Sequence, residues 1–440
     1  MNLENRIVVT GMGCITPLGH DLETLWSNLI AGRCGIAQID RFDAGTFPST
    51  FAAQVREYDF RRYVADPAMH EHAGFNSQFA LGAARQAWVQ AKLGELDGMD
   101  RSRVGVYLGA GEGMLDFDNY ARTDIESWDD AAGAIDSTRW TEAAKRRLDA
   151  WGEIEQEPNM PASHIAREYG IRGPVYNCLT ACAASTQAIG EASDILRRGD
   201  AEVMVAGGTH TMIHVLGLTG FNRLTALSTR NDDIKTSSRP FSRSRDGFVL
   251  GEGSGIVILE TLDHALSRGA RPLAEITGYG SSADAFRITD MHPAARGPAE
   301  AMLQALAQAG IDPRALDKNG RPLVHYISAH GTSTVENDAM ETLAIKAVFR
   351  ENATKIPVSS IKSMLGHLIA AAGAVEFIAC VLALHHQIIP PTTNLTDPEP
   401  ELDLDYVPNE ARPIELDTCL SNSFGFGGQN DTLIIRSYRR

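Results

Sequence analysis

Thr180-Ala-Cys-Ala-Ala-Ser-Thr-Gln-Ala-Ile-Gly190 and Gly366-His-Leu-Ile-Ala-Ala-Ala-Gly-Ala-Val-Glu376 read alike. Each follows a strand and a loop, opens on a residue with chemistry to offer, and continues as a helix packed with Ala and Gly. They lie about 185 residues apart in a chain of 440, near half its length, which suggests an internal duplication. The competing reading is that any two buried helices share small residues.

Working outward, short apolar runs alternate with helical patterns, the signature of an α/β architecture. Strands are predicted at Ile7–Thr10, Val104–Gly109, Glu202–Gly207, Gly255–Leu259, Val324–Ala329 and Ile356–Ser359, with two more around Ser421–Gln429. Helices are predicted near Leu22–Ala31, Cys182–Arg198, Ala299–Ala309, Asp338–Phe349 and His367–His385. Gly199 and Gly310 stand where a helix commonly closes. The stretch Asp116–Pro158, rich in Asp, Glu, Trp and Arg, reads as a surface excursion with little order, helical around Thr141–Trp151.

Hydrophobic residues make up 43% and charged residues 22%, an ordinary globular balance that argues against disorder. The net charge of −16 argues against nucleic acid and against an anionic membrane surface as partners. No run of about twenty apolar residues offers a membrane span, and the first six residues carry no secretory signal. The six Cys show no paired spacing, which fits free thiols in a reduced, cytoplasmic protein. Only seven of the forty basic residues are Lys, so a Lys in a suggestive place stands out.

Thr10-Gly-Met-Gly-Cys-Ile-Thr-Pro17 looks like a dinucleotide loop but lacks the third Gly, and Pro17 obstructs the helix. His70-Glu-His72 lacks a third metal ligand at sensible spacing and reads as a solvated charged turn, so no metal site is expected. His385 and His386 read as helix-terminal cations.

Cys182 precedes a helix of small residues, where the positive end of the dipole lowers a thiol pKa. The alternative is a buried structural thiol. His330 ends a strand in Ala329-His-Gly-Thr-Ser-Thr334, a ligand-facing loop or a His satisfying loop carbonyls. Asp338 and Glu341, one helical turn apart, are candidates for a charge network. His367 opens the second small-residue helix, where the dipole favours its neutral form, and Lys362 lies five residues before it. Ser423-Phe-Gly-Phe-Gly-Gly-Gln-Asn430 suits a mobile gate with exposed N–H groups. A thiol, two His, a Lys with a carboxylate, and a Gly-rich loop together suit thioester acyl transfer.

With these stretches, and with Val8-Val-Thr-Gly-Met-Gly13, Ala226-Leu-Ser-Thr-Arg-Asn231 and Arg245-Asp-Gly-Phe-Val-Leu-Gly-Glu-Gly253, the chain resembles the β-ketoacyl-[acyl-carrier-protein] synthases, nearest to the type II elongating enzymes. The resemblance implies a duplicated thiolase-like fold in five layers, αβαβα, with halves at 1–255 and 256–440. It implies decarboxylative condensation of an acyl group on Cys182 with malonyl-acyl carrier protein, in fatty-acid elongation. His330 and His367 map to the decarboxylating pair and Lys362 to the Lys that orders them, with Glu376 its charge partner. The backbone N–H groups of Cys182 and Phe426 map to the oxyanion hole. Thr332, Thr334, Phe424, Phe426 and Glu112 map to the substrate-binding surface, with Phe426 the gate. The partners implied are acyl carrier protein and a second copy of the chain. No resident cofactor is implied, since phosphopantetheine arrives on the carrier.

Glu112 departs from the family, standing where an apolar residue usually lines the acyl pocket. The carboxylate either shortens or polarises that pocket or turns aside. The nearest rival activity is a ketosynthase of a specialised polyketide or unusual-lipid pathway. Arg61, Arg62, Arg146 and Arg147 are candidates for carrier docking.

Overall fold

A computed structural model describes residues 6–113 and 115–439. The N-terminal stretch in which a secretory signal was sought therefore lies, save Arg6, outside the described residues, as does Met114 beside Glu112. Ten strands form one sheet: β1 (Ile7–Ile15), β2 (Val104–Ala110), β3 (Val175–Cys178), β4 (Val203–His210), β5 (Gly253–Thr261), β6 (Ala274–Ala283), β7 (Tyr326–Ser328), β8 (Val358–Ser359), β9 (Thr418–Gly425) and β10 (Gln429–Arg436). Their order is β8-β7-β9-β10-β6-β1-β5-β4-β2-β3. The order is a mirror image about a short β1–β6 joint of three paired positions, Ile7↔Ile276 to Val9↔Ala274. In one set β2 runs parallel to β3 and β4, and β5 is antiparallel to β4 and β1. In the other β7 runs parallel to β8 and β9, and β10 is antiparallel to β9 and β6.

Strand residues alternate between two buried faces. On β5, Val257 and Leu259 enter the central core, while Ile256 and Ile258 enter an outer one. On β10, Leu433 and Ile435 face the central core and Ile434 the opposite outer core. A period of two with both faces apolar requires a layer on each side of the sheet. Helix α1 (Phe75–Gln90) covers one outer face, and α3 (Arg296–Gln308) with α4 (Val335–Phe349) the other. The central layer holds α2 (Ala184–Arg198) and α5 (Ala372–His386). The segment Ile369–His386 is long and apolar enough to cross a membrane, with a mean hydropathy of 1.7, but 89% of it is buried inside the protein.

The two lookalike stretches share a backbone as well as a composition. Each helix is preceded by a 3-10 turn, Ala181–Ala183 or Ile369–Ala371, whose first residue has φ of 48°. The helices cross so closely that a Cβ on Gly373 would lie 2.0 Å from Thr186 Oγ1. The Ala374 N–H donates to Ser185 Oγ at 2.9 Å across the same crossing.

Several expectations need correction. The strand expected to stop at Thr10 runs on to Ile15, through a bulge between Val9 and Gly11. Gly11 and Gly13 serve helix packing, since a Cβ on either would meet an α1 carbonyl oxygen at 2.1 Å. The excursion is ordered as helices Phe117–Ser127, Ser137–Arg147 and Ala150–Glu155. Asp116, Asp136 and Asp149 cap them, and the cap at Asp149 divides the helix expected over Thr141–Trp151. His386 stacks on Trp26 at 5.1 Å, and burial lowers its pKa, which disfavours the cation expected at that helix end.

His70 is buried, not solvated. Its Nδ1 lies 2.8 Å from His164 Nδ1, and its Nε2 lies 2.9 Å from Glu168. His164 Nε2 in turn lies 2.8 Å from Glu155. One proton must sit between the facing Nδ1 atoms, so a second would break the bond. Burial lowers the His70 pKa against the opposing pull of Glu168. A lowered folded-state value gives stability that is present above the unfolded value of about 6.5 and lost as pH falls below it. The melting temperature is therefore expected to drop by roughly 2 °C between pH 7 and pH 5.5. In His70→Gln, which cannot titrate, scanning calorimetry should find a shallower slope; an equal slope would refute the assignment.

Candidate active site

The 3-10 turn Ala181–Ala183 leaves the end of β3 and presents Cys182 ahead of α2. The end of β7 presents His330, and the turn before Ile369–Ala371 presents His367. The sulfur and one nitrogen of each imidazole all lie within 4.8 Å of one another, and all three residues are buried. The imidazole rings meet edge to face, with centroids 5.3 Å apart. Phe424 closes on His330 at 5.8 Å, and Phe248 on His367 at 5.2 Å.

The tautomers follow from their neighbours. The Ile369 backbone N–H donates to His367 Nδ1 at 3.2 Å, so His367 carries its proton on Nε2. The Lys362 ammonium lies 3.5 Å from His330 Nδ1, which leaves the His330 proton on Nε2 as well. Burial first, and then the Lys362 charge, holds both imidazoles well below their ordinary pKa. The neutrality of His367 thus comes from burial rather than from the helix dipole. Its Nε2 is buried and unpartnered among the described residues.

Lys362 and Glu376 form a buried ion pair beneath this cluster. Burial raises Glu376 to about 7 against the pull of Lys362. Asp338 and Glu341 act mainly on backbone. Glu341 accepts from the N–H groups of His330 and Gly331 at 2.9 and 2.8 Å, and from Asn422 at 3.2 Å. Asp338 accepts from Phe241 and Ser333 N–H at 2.8 and 3.2 Å, with the Arg245 guanidinium 3.6 Å away. Together they fix the turn carrying His330 and Ser333, whose φ is 73°.

The low thiol pKa expected at Cys182 is not what the structure gives. Burial pushes the thiol up to about 11, although Lys362 and the Phe426 backbone N–H favour the thiolate. The 3-10 turn separates the sulfur from the α-helix proper, and the pocket removes water.

A cavity of about 340 Å³ opens onto Cys182, His330 and His367. Its wall includes Thr332, Thr334, Phe424 and Phe426. The Thr332 and Thr334 hydroxyls lie 3.0 Å apart, and Thr334 also caps α4. Glu112 is exposed and outside this wall. Sequence reasoning missed Asp246 and Asp284 in the wall and Asn422 behind it; Asp246 and Asn422 sat in stretches already singled out, and Asp284 did not. Of the Arg candidates, Arg61 pairs with Asp59, and Arg146 and Arg147 with Glu126.

Comparison with known proteins places this geometry. The family model described as Beta-ketoacyl synthase, N-terminal domain, matches residues 4–265, and its C-terminal counterpart matches residues 273–396. A 3-oxoacyl-[acyl-carrier-protein] synthase 2 of Coxiella burnetii is 41% identical over 98% of both chains. A protein of the same name from Synechocystis is 40% identical over 100% of both. A solved β-ketoacyl synthase from Burkholderia phymatum superposes with a TM-score of 0.86 at 30% identity, covering 99% of this chain and 100% of that one. A ketosynthase solved with its type II polyketide acyl-carrier protein and a hexaketide gives 0.84 at 33% identity, with the same coverage. The thiolase-like α/β fold is that of a β-ketoacyl synthase, and the chain belongs to that family.

Proposed function

We propose that the protein condenses an acyl group held on Cys182 with malonyl-acyl carrier protein, releasing carbon dioxide and β-ketoacyl-acyl carrier protein, in fatty-acid elongation. The observation that carries this reading is the pair of neutral imidazoles, each with its proton on Nε2, facing one thiol. Names of relatives at 40 and 41% identity over nearly the whole chain support it.

In the first half-reaction the Cys182 sulfur attacks the acyl thioester, and its proton ends on the departing phosphopantetheine sulfur. The N–H groups of Cys182 and Phe426 hold the tetrahedral oxyanion. Malonyl-carrier protein then enters with its arm along Thr332 and Thr334. As the carboxylate leaves as carbon dioxide, its bonding pair forms an enolate, and the two Nε2–H donors hold the enolate oxygen. A neutral N–H donor is suited to this charge because, unlike an imidazolium, it holds the enolate without giving up its proton. The enolate carbon attacks the acyl-Cys182 carbonyl, and the thiolate leaves and takes up a proton. Lys362 keeps His330 in the tautomer this requires.

Acyl carrier protein is the partner in this reading; a relative solved with one lends support. Three of the four Arg candidates are ion-paired in the isolated chain, so docking there would have to displace Asp59 or Glu126. A homodimer is supported by β3, an edge strand whose Val175 and Tyr176, with the adjoining Leu179, are exposed, an open apolar edge that a second copy would cover. The mirrored strand sets support two halves, but with the boundary between β5, which ends at Thr261, and β6, which opens at Ala274, since a cut at 255/256 would divide β5. The six free cysteines fit a cytoplasmic site, and the reaction needs no resident cofactor.

Cys182→Ala should abolish the acyl adduct that intact mass spectrometry finds on the wild type, and undiminished acylation would overturn the role of Cys182. Lys362→Ala strands the Glu376 carboxylate and should cost about 3–5 kcal/mol in urea unfolding. The Lys362→Met/Glu376→Leu double variant should recover most of that stability yet remain unable to decarboxylate malonyl-carrier protein; recovery of decarboxylation would remove Lys362 from the mechanism. Leu179→Glu should halve the mass in sedimentation equilibrium, and an unchanged mass would argue against pairing through β3.

A further inference from the structure

The C-terminal end of α5 lies well away from the catalytic turns, since Leu382 is about 15 Å along the helix axis from Ala372. There α5 borders a surface trough that shares no lining residue with the cavity at Cys182. The trough has two sections, of about 660 and 650 Å³, that meet at Leu273 and His385. Leu22, Trp26 and Ile30 of the helix Leu22–Ile30 line the first section, with Val381, Leu382 and Ile388 from the end of α5 and just beyond it. His386 stacks on Trp26 and ties the two elements together. Glu23, itself exposed, lines this first section alone.

The second section differs in its chemistry. Arg271, Ser437 and Tyr438 line it beside Leu266, and no carboxylate does so among the described residues. Arg271 is exposed, and no ion pair engages its guanidinium among the described residues. The carboxylates around this section are already held. Glu275 pairs with Arg6, which lies over the Tyr438 ring. Asp417, whose carbonyl accepts from the Ser437 N–H, pairs with Arg439. The negative end of α5 is partly satisfied as well, since the Ala383 and Leu384 carbonyls accept from the Gln387 backbone and side chain. An apolar channel therefore runs into a section that offers one unpaired cation and two hydroxyls.

We propose that this trough binds a free long-chain carboxylate, a fatty acid, with its hydrocarbon chain along Trp26, Ile30 and Leu382 and its head on Arg271, Ser437 and Tyr438. A guanidinium matches a carboxylate with two parallel N–H donors, and the hydroxyls add to them. Each methylene removed from water along the first section adds to the affinity. A cationic amphiphile would set its charge against Arg271, and a neutral one would leave Arg271 unpaired. The site is separate from Cys182 and does not depend on the condensing role.

The test is isothermal titration of the full-length protein with dodecanoate, dodecanol and dodecylamine, each below its aggregation concentration. Dodecanoate should bind on the order of tenfold more tightly than the alcohol or the amine. Decanoate should bind on the order of fivefold more weakly than dodecanoate. Arg271→Glu should remove the preference for the acid. Dodecanoate carrying a diazirine on its chain should label peptides containing Trp26, Ile30 or Leu382 on irradiation, as read by mass spectrometry. This wild-type labelling decides the matter even where the variant fails to fold. Equal affinity for the three head groups would overturn the assignment of the head to Arg271. Labelling confined to peptides around Cys182, or spread evenly over the surface, would overturn the trough as a site while leaving the condensing role untouched.

Discussion

The close crossing of α2 and α5 is the constraint on which the rest of the structure depends. At Gly373 the helices approach until only a hydrogen fits between backbone and Thr186. That approach brings together the two 3-10 turns in front of the helices; one carries Cys182, and the other, Ile369–Ala371, starts just after His367. Larger residues on α5 would separate the turns and with them the sulfur and the imidazole. Ala and Gly in both stretches are therefore a requirement of catalytic geometry as well as of packing.

Charge is managed differently in the successive layers behind the thiol. The Lys362–Glu376 pair is fully enclosed, which is costly in itself, but its Lys362 charge adds to the burial that keeps His330 neutral and orients it. Glu341 and Asp338 spend their oxygens on backbone N–H groups, so they hold a turn in place rather than taking part in the chemistry. The result is a pocket with one cation, two neutral donors and a protonated thiol, suited to receiving negative charge as it develops.

Much of the site was legible in the chain itself. Cys182, His330, Lys362 and His367 each stood in a distinctive local setting, and the scarcity of Lys drew attention to Lys362. Their electrostatics were less legible. A thiol before a helix suggested a low pKa, yet enclosure by residues distant in sequence, such as Phe248 and Leu250, outweighs the dipole. His70-Glu-His72 looked like a solvated turn because its partners, His164 and Glu168, lie more than ninety residues away. The excursion looked disordered because acidic caps and charged faces resemble a solvated loop when read one residue at a time.

The sequence alone determined the alternation of elements, the repeated small-residue helices and the identity of the reactive groups, because these rest on local spacing and side-chain chemistry. Only the tertiary structure decided which nitrogen of each catalytic imidazole carries the proton, and which carboxylates meet cations and which meet backbone. Protonation and tautomer depend on burial and on neighbours within a few ångströms, and chain folding brings those neighbours from both halves of the sequence.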